Sequence, residues 1–230
     1  KESELLELIE KYDKHTINYA VQDVMSRNWN EEWEKNYDPI SVDNQIYIRA
    51  TFHDPKPQFP YEVVINPRMS FGTGHHSTTY LMLKNQLDIE HQDKRVLDAG
   101  TGTGILAIMA EKLGASEVIA YDNNTWSIEN APENLQLNEC ENITILEGTI
   151  DTLHLEGAFD IVLANITKNV LLEEMSRYVD FLSPEGLLLL SGFYKSDAKE
   201  VLTCAMRLGL EQKKKTVKND WCSILFAKDC

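Results

Sequence analysis

Positive charge is scarce in this chain. Its 230 residues hold 22 lysines and arginines against 37 aspartates and glutamates, a formal charge of −15. That balance argues against a nucleic-acid backbone as a direct partner, because gripping phosphates takes clustered cations. It suits a small-molecule substrate or a basic protein. Cysteines are few as well, at positions 140, 204, 222 and 230. No two form a Cys-x-x-Cys pair and no histidine cluster joins them. Zinc and disulfide frameworks are therefore not expected, and a reducing, cytoplasmic setting fits. No apolar run approaches the ~20 residues that span a bilayer, and no signal peptide is recognisable, so no membrane partner is expected. The chain begins with Lys1 rather than Met, which reads as a piece of a longer protein.

What the chain does have is a dense glycine turn. Asp98-Ala-Gly-Thr-Gly-Thr-Gly104 follows the strand-like Lys94-Arg-Val-Leu97 and precedes Ile105–Ala110, which reads as the first turns of a helix. Gly100, Gly102 and Gly104 leave no side chain between the turn and whatever lies on it. The helix start adds free N–H groups. A nucleoside-bearing cofactor at the carboxyl edge of a parallel sheet is the natural occupant. A purely structural turn would need only one or two of these glycines.

The rest of the chain organises around this turn. Glu2–Lys11 reads as a short amphipathic helix, Thr16–Val24 as a strand, and Met25–Asn36 as a helix with Trp29 and Trp33 on one face. Ile40–Val42 and Gln45–Thr51 flank Asp43-Asn44 as a hairpin, Asp54–Pro60 is a Pro-rich loop, and Tyr61–Asn66 is a short strand. Strand and helix then alternate. Helices are expected at His76–Leu87, Gly104–Leu113, Ser127–Leu137, Asn169–Leu182 and Ser196–Leu208. Strands are expected at Val96–Ala99, Glu117–Tyr121, Ile143–Glu147, Phe159–Ala164 and Gly186–Ser191. Gln212–Val217 and Trp221–Lys228 are too close together for a crossover helix and should form an antiparallel hairpin. The predicted class is α/β: a doubly wound, mostly parallel seven-stranded sheet ending in that hairpin, with a partial domain at the N-terminus.

Several positions are candidates for chemistry. Asp122 ends the second strand of the glycine-turn unit, with Asn123 beside it, where an acid can accept hydrogen bonds from both ribose hydroxyls. The bland alternative is that Asp122 starts the next helix as a cap. Thr149 follows the third strand, in the loop that flanks an adenine in such sheets. Asn165 ends the fourth, where a side-chain amide can accept a hydrogen bond from a substrate amine. It is also an ordinary turn residue. A second dense segment, Asn66–Thr79, carries two glycines, two histidines and several hydroxyls, and can fold over a ligand as a loop. His75 and His76 are adjacent and point different ways, so no metal site is expected. The Gly-x-Ser-x-Gly elbow is absent around Ser191.

The stretch Val96–Gly104, Asp122, Asn165 and the closing hairpin resemble class I S-adenosylmethionine-dependent methyltransferases. The loop Met69-Ser-Phe-Gly-Thr-Gly-His-His-Ser-Thr-Thr79, with Asn165-Ile166 and Leu189-Leu-Ser-Gly192, is similar to the PrmA family, bacterial enzymes that methylate the large-subunit ribosomal protein numbered eleven. The likeness runs from about Trp29 to the end. Departures from the family's pattern occur at Thr101 and at Thr167-Lys168. The resemblance implies S-adenosylmethionine as cofactor, a basic ribosomal-protein substrate, and a monomer. It divides the chain into 1–24, a remnant of a substrate-recognition domain; 25–37, a connecting helix; and 38–230, the catalytic domain. It assigns cofactor contacts to Phe71, Gly72, Thr73, Gly74, Thr79, Asp98, Gly100, Gly102, Gly104, Asp122, Asn123, Thr149 and Asn165. Amine positioning falls to the Asn165 side chain and the Ile166 carbonyl. Another amine substrate is an alternative. So is a nicotinamide-dependent oxidoreductase, since Gly102-x-Gly104-x-x-Ala107 also fits a dinucleotide fingerprint.

Overall fold

A computed structural model describes residues 37–66 and 70–228. The chain divides into two compact units, residues 1–37 and 38–230, and the described helices and strands all belong to the second. The elements expected within residues 2–36, including the Trp29–Trp33 pair, lie outside the described residues, as do Pro67, Arg68 and Met69.

The strands β1 (Ile40–Val42), β2 (Ile46–Arg49) and β3 (Tyr61–Val64) form a small sheet. β1 and β2 are antiparallel across Asp43-Asn44, whose φ values of +47° and +54° are those of a tight hairpin turn. β3 lies parallel to β2.

The main sheet holds seven strands in the order β6-β5-β4-β7-β8-β10-β9. β4 (Arg95–Ala99), β5 (Glu117–Asp122), β6 (Ile143–Glu147), β7 (Phe159–Asn165) and β8 (Leu182–Tyr194) run parallel. β10 (Trp221–Lys228) inserts antiparallel between β8 and β9 (Leu210–Lys218). The intervening helices are α1 (Ser77–Gln86), α2 (Ile105–Lys112), α3 (Thr125–Leu137), α4 (Lys168–Phe181) and α5 (Ala198–Arg207).

Strand alternation sends side chains to two cores. Val96 and Leu189 pack with α1 and α2 on one face, whereas Leu97, Leu188 and Leu190 pack with α4 and α5 on the other. Each fully buried Leu, Ile or Val stabilises the fold by about 1.5–3 kcal/mol. From β4 the chain winds outward through β5 to β6, then returns beside β4 as β7 and winds the other way. The carboxyl ends of β4 and β7 therefore border a crevice where the winding reverses, the usual place for a ligand in such a sheet.

The expected class stands, while several elements differ in extent. β8 spans 13 residues rather than the central six, because it starts directly after α4 and passes through Ser183-Pro-Glu-Gly186. Ser183-Pro-Glu185 falls between the expected helix and strand, and the pairing of β8 with β7 is irregular between Phe159 and Ile161. The β9–β10 turn is only Asn219-Asp220, both left-handed, since Lys218 already pairs with Trp221.

Candidate functional site

The glycine turn is fastened to the strand beside it. Gly100 N and Thr101 N both donate to the Tyr121 carbonyl at 2.9 Å. Beneath the turn, Thr101 donates its hydroxyl to Asp98 Oδ2 at 2.6 Å. Asp98 is wholly buried, and burial pushes its carboxyl up to about 7, with the nearby Asp122 charge adding to the effect. Its Oδ1 has no hydrogen-bond partner.

Asp122, at the end of β5, organises two backbones at once. Its Oδ2 accepts from Gly102 N and its Oδ1 from Asn124 N, both at 2.9 Å. Asn124, rather than Asp122, caps α3 by accepting from Trp126 N. A carboxylate oxygen accepts two hydrogen bonds, so each oxygen of Asp122 keeps capacity for a hydroxyl.

The loop before α1 closes down on this turn. Thr103 N donates to the Phe71 carbonyl at 2.9 Å, and Thr103 Oγ1 to the Gly72 carbonyl at 2.7 Å. Ser70 Oγ donates to the Trp126 carbonyl at 3.0 Å. Gly74 packs on Ile48, where an added β-carbon would stand 2.9 Å from Ile48 Cδ1. The Phe71 ring lies 5.4 Å from that of His76, which lies 4.6 Å from Trp221, itself stacked on Tyr194 at 4.1 Å. These rings make an aromatic wall along the carboxyl edge of the sheet. Burial holds His76 below its ordinary value, toward the neutral form, and its ring caps α1.

Asn165 ends β7 and is 9% exposed. Its Nδ2 lies 3.5 Å from Thr79 Oγ1, and its Oδ1 is buried without a hydrogen-bond partner. Ile166 follows, with its side chain against Gly100 and its carbonyl against Gly192. A β-carbon on Gly192 would stand 1.9 Å from that oxygen, so only glycine lets the two backbones approach this closely.

These parts enclose a cleft of about 340 Å³. Of the expected residues, Phe71, Gly100, Gly102, Asp122, Asn123, Thr149, Asn165 and Ile166 line it. Asp98, Gly72 and Thr79 stand behind the lining and hold it through the bonds above. Gly104 begins α2, facing Ala131, and Thr73 lies beside His75. Residues not expected also line the cleft: Ser70, Tyr121, Asn124, Ser127, Thr167, Val170 and Glu174. Ser70 had a signal in its hydroxyl-rich loop. Glu174 and Val170 had none, because they lie on the helix after β7 and only the packing of α4 turns them inward.

The cleft has the size of a small-molecule site, bare backbone on one wall, a carboxylate with spare acceptor capacity, and an orphaned amide oxygen. A nucleoside with an attached amino-acid chain fits that set. Among the described residues, no group of His, Cys, Asp or Glu is arranged to hold a metal. No helix there is long and apolar enough to cross a membrane. Cys140, Cys204 and Cys222 are free thiols.

Known proteins similar to this chain are methyltransferases. A family model described as ribosomal protein L11 methyltransferase (PrmA) matches residues 1–229. The chain is 46% identical over 203 residues to the ribosomal protein L11 methyltransferase of Porphyromonas gingivalis, covering 88% of this chain and 70% of that protein. It is 43% identical over 211 residues to the protein of the same name from Bacteroides thetaiotaomicron, covering 91% of this chain and 75% of that one. Among solved structures it is similar to a ribosomal protein L11 methylase from Lactobacillus delbrueckii subsp. bulgaricus, with a TM-score of 0.78 and 26% identity over 84% of this chain and all of that one. A methyltransferase from Pyrococcus furiosus shares the fold, with a TM-score of 0.63 and 21% identity over 73% of this chain and 90% of that one.

Proposed function

The chain belongs to the ribosomal protein L11 methyltransferase family, and from that premise we propose that it methylates amine nitrogens of the large-subunit protein L11 with S-adenosylmethionine as donor. The nicotinamide reading is set aside, because the family and the relatives that match carry methyltransferase names.

The observation that carries the reading is the buried, unpartnered Oδ1 of Asn165 beside the bare glycine backbone and Asp122. The donor, when bound, supplies a methyl group already activated on a sulfonium. The protein's task is then to seat two reactants and aim one of them. Gly100 and Gly102 let the backbone approach the donor closely, and Asp122 holds its ribose hydroxyls. Phe71 and Gly72, pinned by Thr103, cover the amino-acid end.

The acceptor must be neutral. A lysine with pKa of about 10.4 is neutral roughly one time in a thousand near pH 7.4, a cost of about 4 kcal/mol. Desolvation in the cleft lowers that pKa and reduces the cost. Asn165 Oδ1 accepts one N–H of the amine, and the carbonyl of the next residue, Ile166, accepts a second. With two N–H bonds directed at these acceptors, the lone pair points into the cleft. Residues 38–230 carry this chemistry. We assign residues 1–24 to substrate recognition and 25–37 to the link between the two, in a cytoplasmic enzyme.

The test is incubation of the whole chain with methyl-labelled donor and purified L11. Label should appear in L11 lysines or its N-terminal amine. Label in neither, with donor binding demonstrated, would overturn the substrate assignment.

A further inference from the structure

One side of the cleft belongs to α4. Val170 and Glu174 sit one turn apart and both line it, with Tyr178 a further turn along the same stripe. Tyr178 is wholly buried and donates its hydroxyl to Glu174 Oε2. That bond holds the carboxylate in place from beneath. Its other oxygen accepts no hydrogen bond from the described residues. Tyr121, whose buried hydroxyl neighbours that of Tyr178, lines the cleft alongside.

Across from them stands Thr149, the side chain that strand order alone suggests for reading the base. Its N–H donates to Thr152 Oγ1 at 2.9 Å, and its hydroxyl lies 3.3 Å from the same oxygen. Thr149 is thus turned into its own loop. At this end of the cleft the Tyr121 hydroxyl is buried without a partner, and among the described lining residues Glu174 is the carboxylate that keeps one oxygen unused.

We propose that Glu174 reads the base of the bound nucleoside, its free carboxylate oxygen accepting an N–H of the exocyclic amine of adenine while Val170 packs on the ring. This rests on the S-adenosyl reading of the cleft given above. A carboxylate accepts and never donates, so it welcomes a 6-amino purine and opposes a 6-oxo one, whose carbonyl would set lone pairs against lone pairs. A site built around one polar group rejects an analogue that leaves that group unpaired far more strongly than an apolar pocket rejects a size change. Burial and the nearby acids Asp151 and Glu173 raise the Glu174 carboxyl, so a hydrogen-bond donor at its open oxygen favours the ionised form that the Tyr178 bond also favours.

The experiment is calorimetric titration of the whole chain with S-adenosylhomocysteine and with its 6-oxo counterpart, S-inosylhomocysteine. The wild type should bind the amino form roughly a hundredfold more tightly. In Glu174→Gln the amide oxygen still accepts from Tyr178, and the NH2 group then faces the base. The amino form should weaken about tenfold and the preference should fall to within about threefold. Equal thermal unfolding of the two proteins shows that the change is local. A wild type without preference overturns the assignment by itself, whether or not the variant folds. A preference that survives Glu174→Gln also overturns it. Binding of neither compound to the wild type would instead remove the S-adenosyl reading on which the assignment stands.

Discussion

The carbonyl oxygen of Phe71 occupies the space that a β-carbon on Gly102 would need, only 2.2 Å away. The two residues come from segments some thirty positions apart, and their contact closes the covering loop onto the turn. Gly102 also has φ +58°, a conformation that costs an L-residue about 1–3 kcal/mol. Gly102→Ala should therefore move the loop and lower stability by at least that much. S-adenosylhomocysteine affinity should fall more than tenfold. Calorimetry and thermal unfolding read the two effects, and unchanged values in both would refute the contact's role.

Asp122 holds Gly102 N and Asn124 N with separate oxygens. Asp122→Ala removes both acceptors together with the ribose contact, and should weaken cofactor binding at least tenfold. Asp122→Asn keeps the shape but sets an NH2 group against one of the two backbone N–H groups. It should therefore recover only part of the affinity, with an unpaired-donor cost of about 1–3 kcal/mol. Full recovery in the asparagine variant would show that shape alone matters there.

Asn165 offers an oxygen that no described residue uses. Asn165→Ala should keep cofactor affinity within about threefold while lowering turnover on L11 by about a hundredfold or more, the loss expected when a positioning group is removed. Retained turnover would take Asn165 out of the reaction.

Asp98 is predicted to shape the pH dependence of stability. Its folded value near 7 lies above the ordinary 3.8, so the folded state holds this proton more tightly than the unfolded one. The contribution is complete below about pH 4 and is lost as pH rises through 7. Asp98→Asn keeps an acceptor for Thr101 and removes the titration. Relative to wild type it should gain stability between pH 4 and 7, on the order of 4 kcal/mol at most, and level off above. Urea unfolding at pH 5 and pH 8 measures the difference. An equal effect at both would show that Asp98 titrates alike in both states.

Much of the site was legible because its parts are local. The glycine turn, the acid closing β5 and the asparagine closing β7 each follow a strand, and strand ends at the carboxyl edge of a parallel sheet face a common crevice. Two asparagines at the end of α3 were not legible. Asn134 in the helix and Asn138 at its C-cap are both buried. Asn138 brackets Val64 with bonds of 2.9 and 2.6 Å, and Asn134 joins Asn66 N to the Thr103 carbonyl. They bind the segment leading to the covering loop onto the glycine turn. Only a helix packed between two backbones makes such amides structural, and side-chain periodicity does not reveal what a polar face will meet.

By itself, the sequence determined the backbone of the cradle and the class of sheet behind it. Left-handed glycines, caps and apolar alternation act between residues a few positions apart. Tertiary structure alone decided which distant side chains share the cleft. The reversal of winding at β4 and β7 brings α4 against the far wall, so Val170 and Glu174 join Asp122 and Phe71. Burial of two cores on opposite sheet faces fixes that convergence, and burial depends on the whole chain rather than on any one stretch of it.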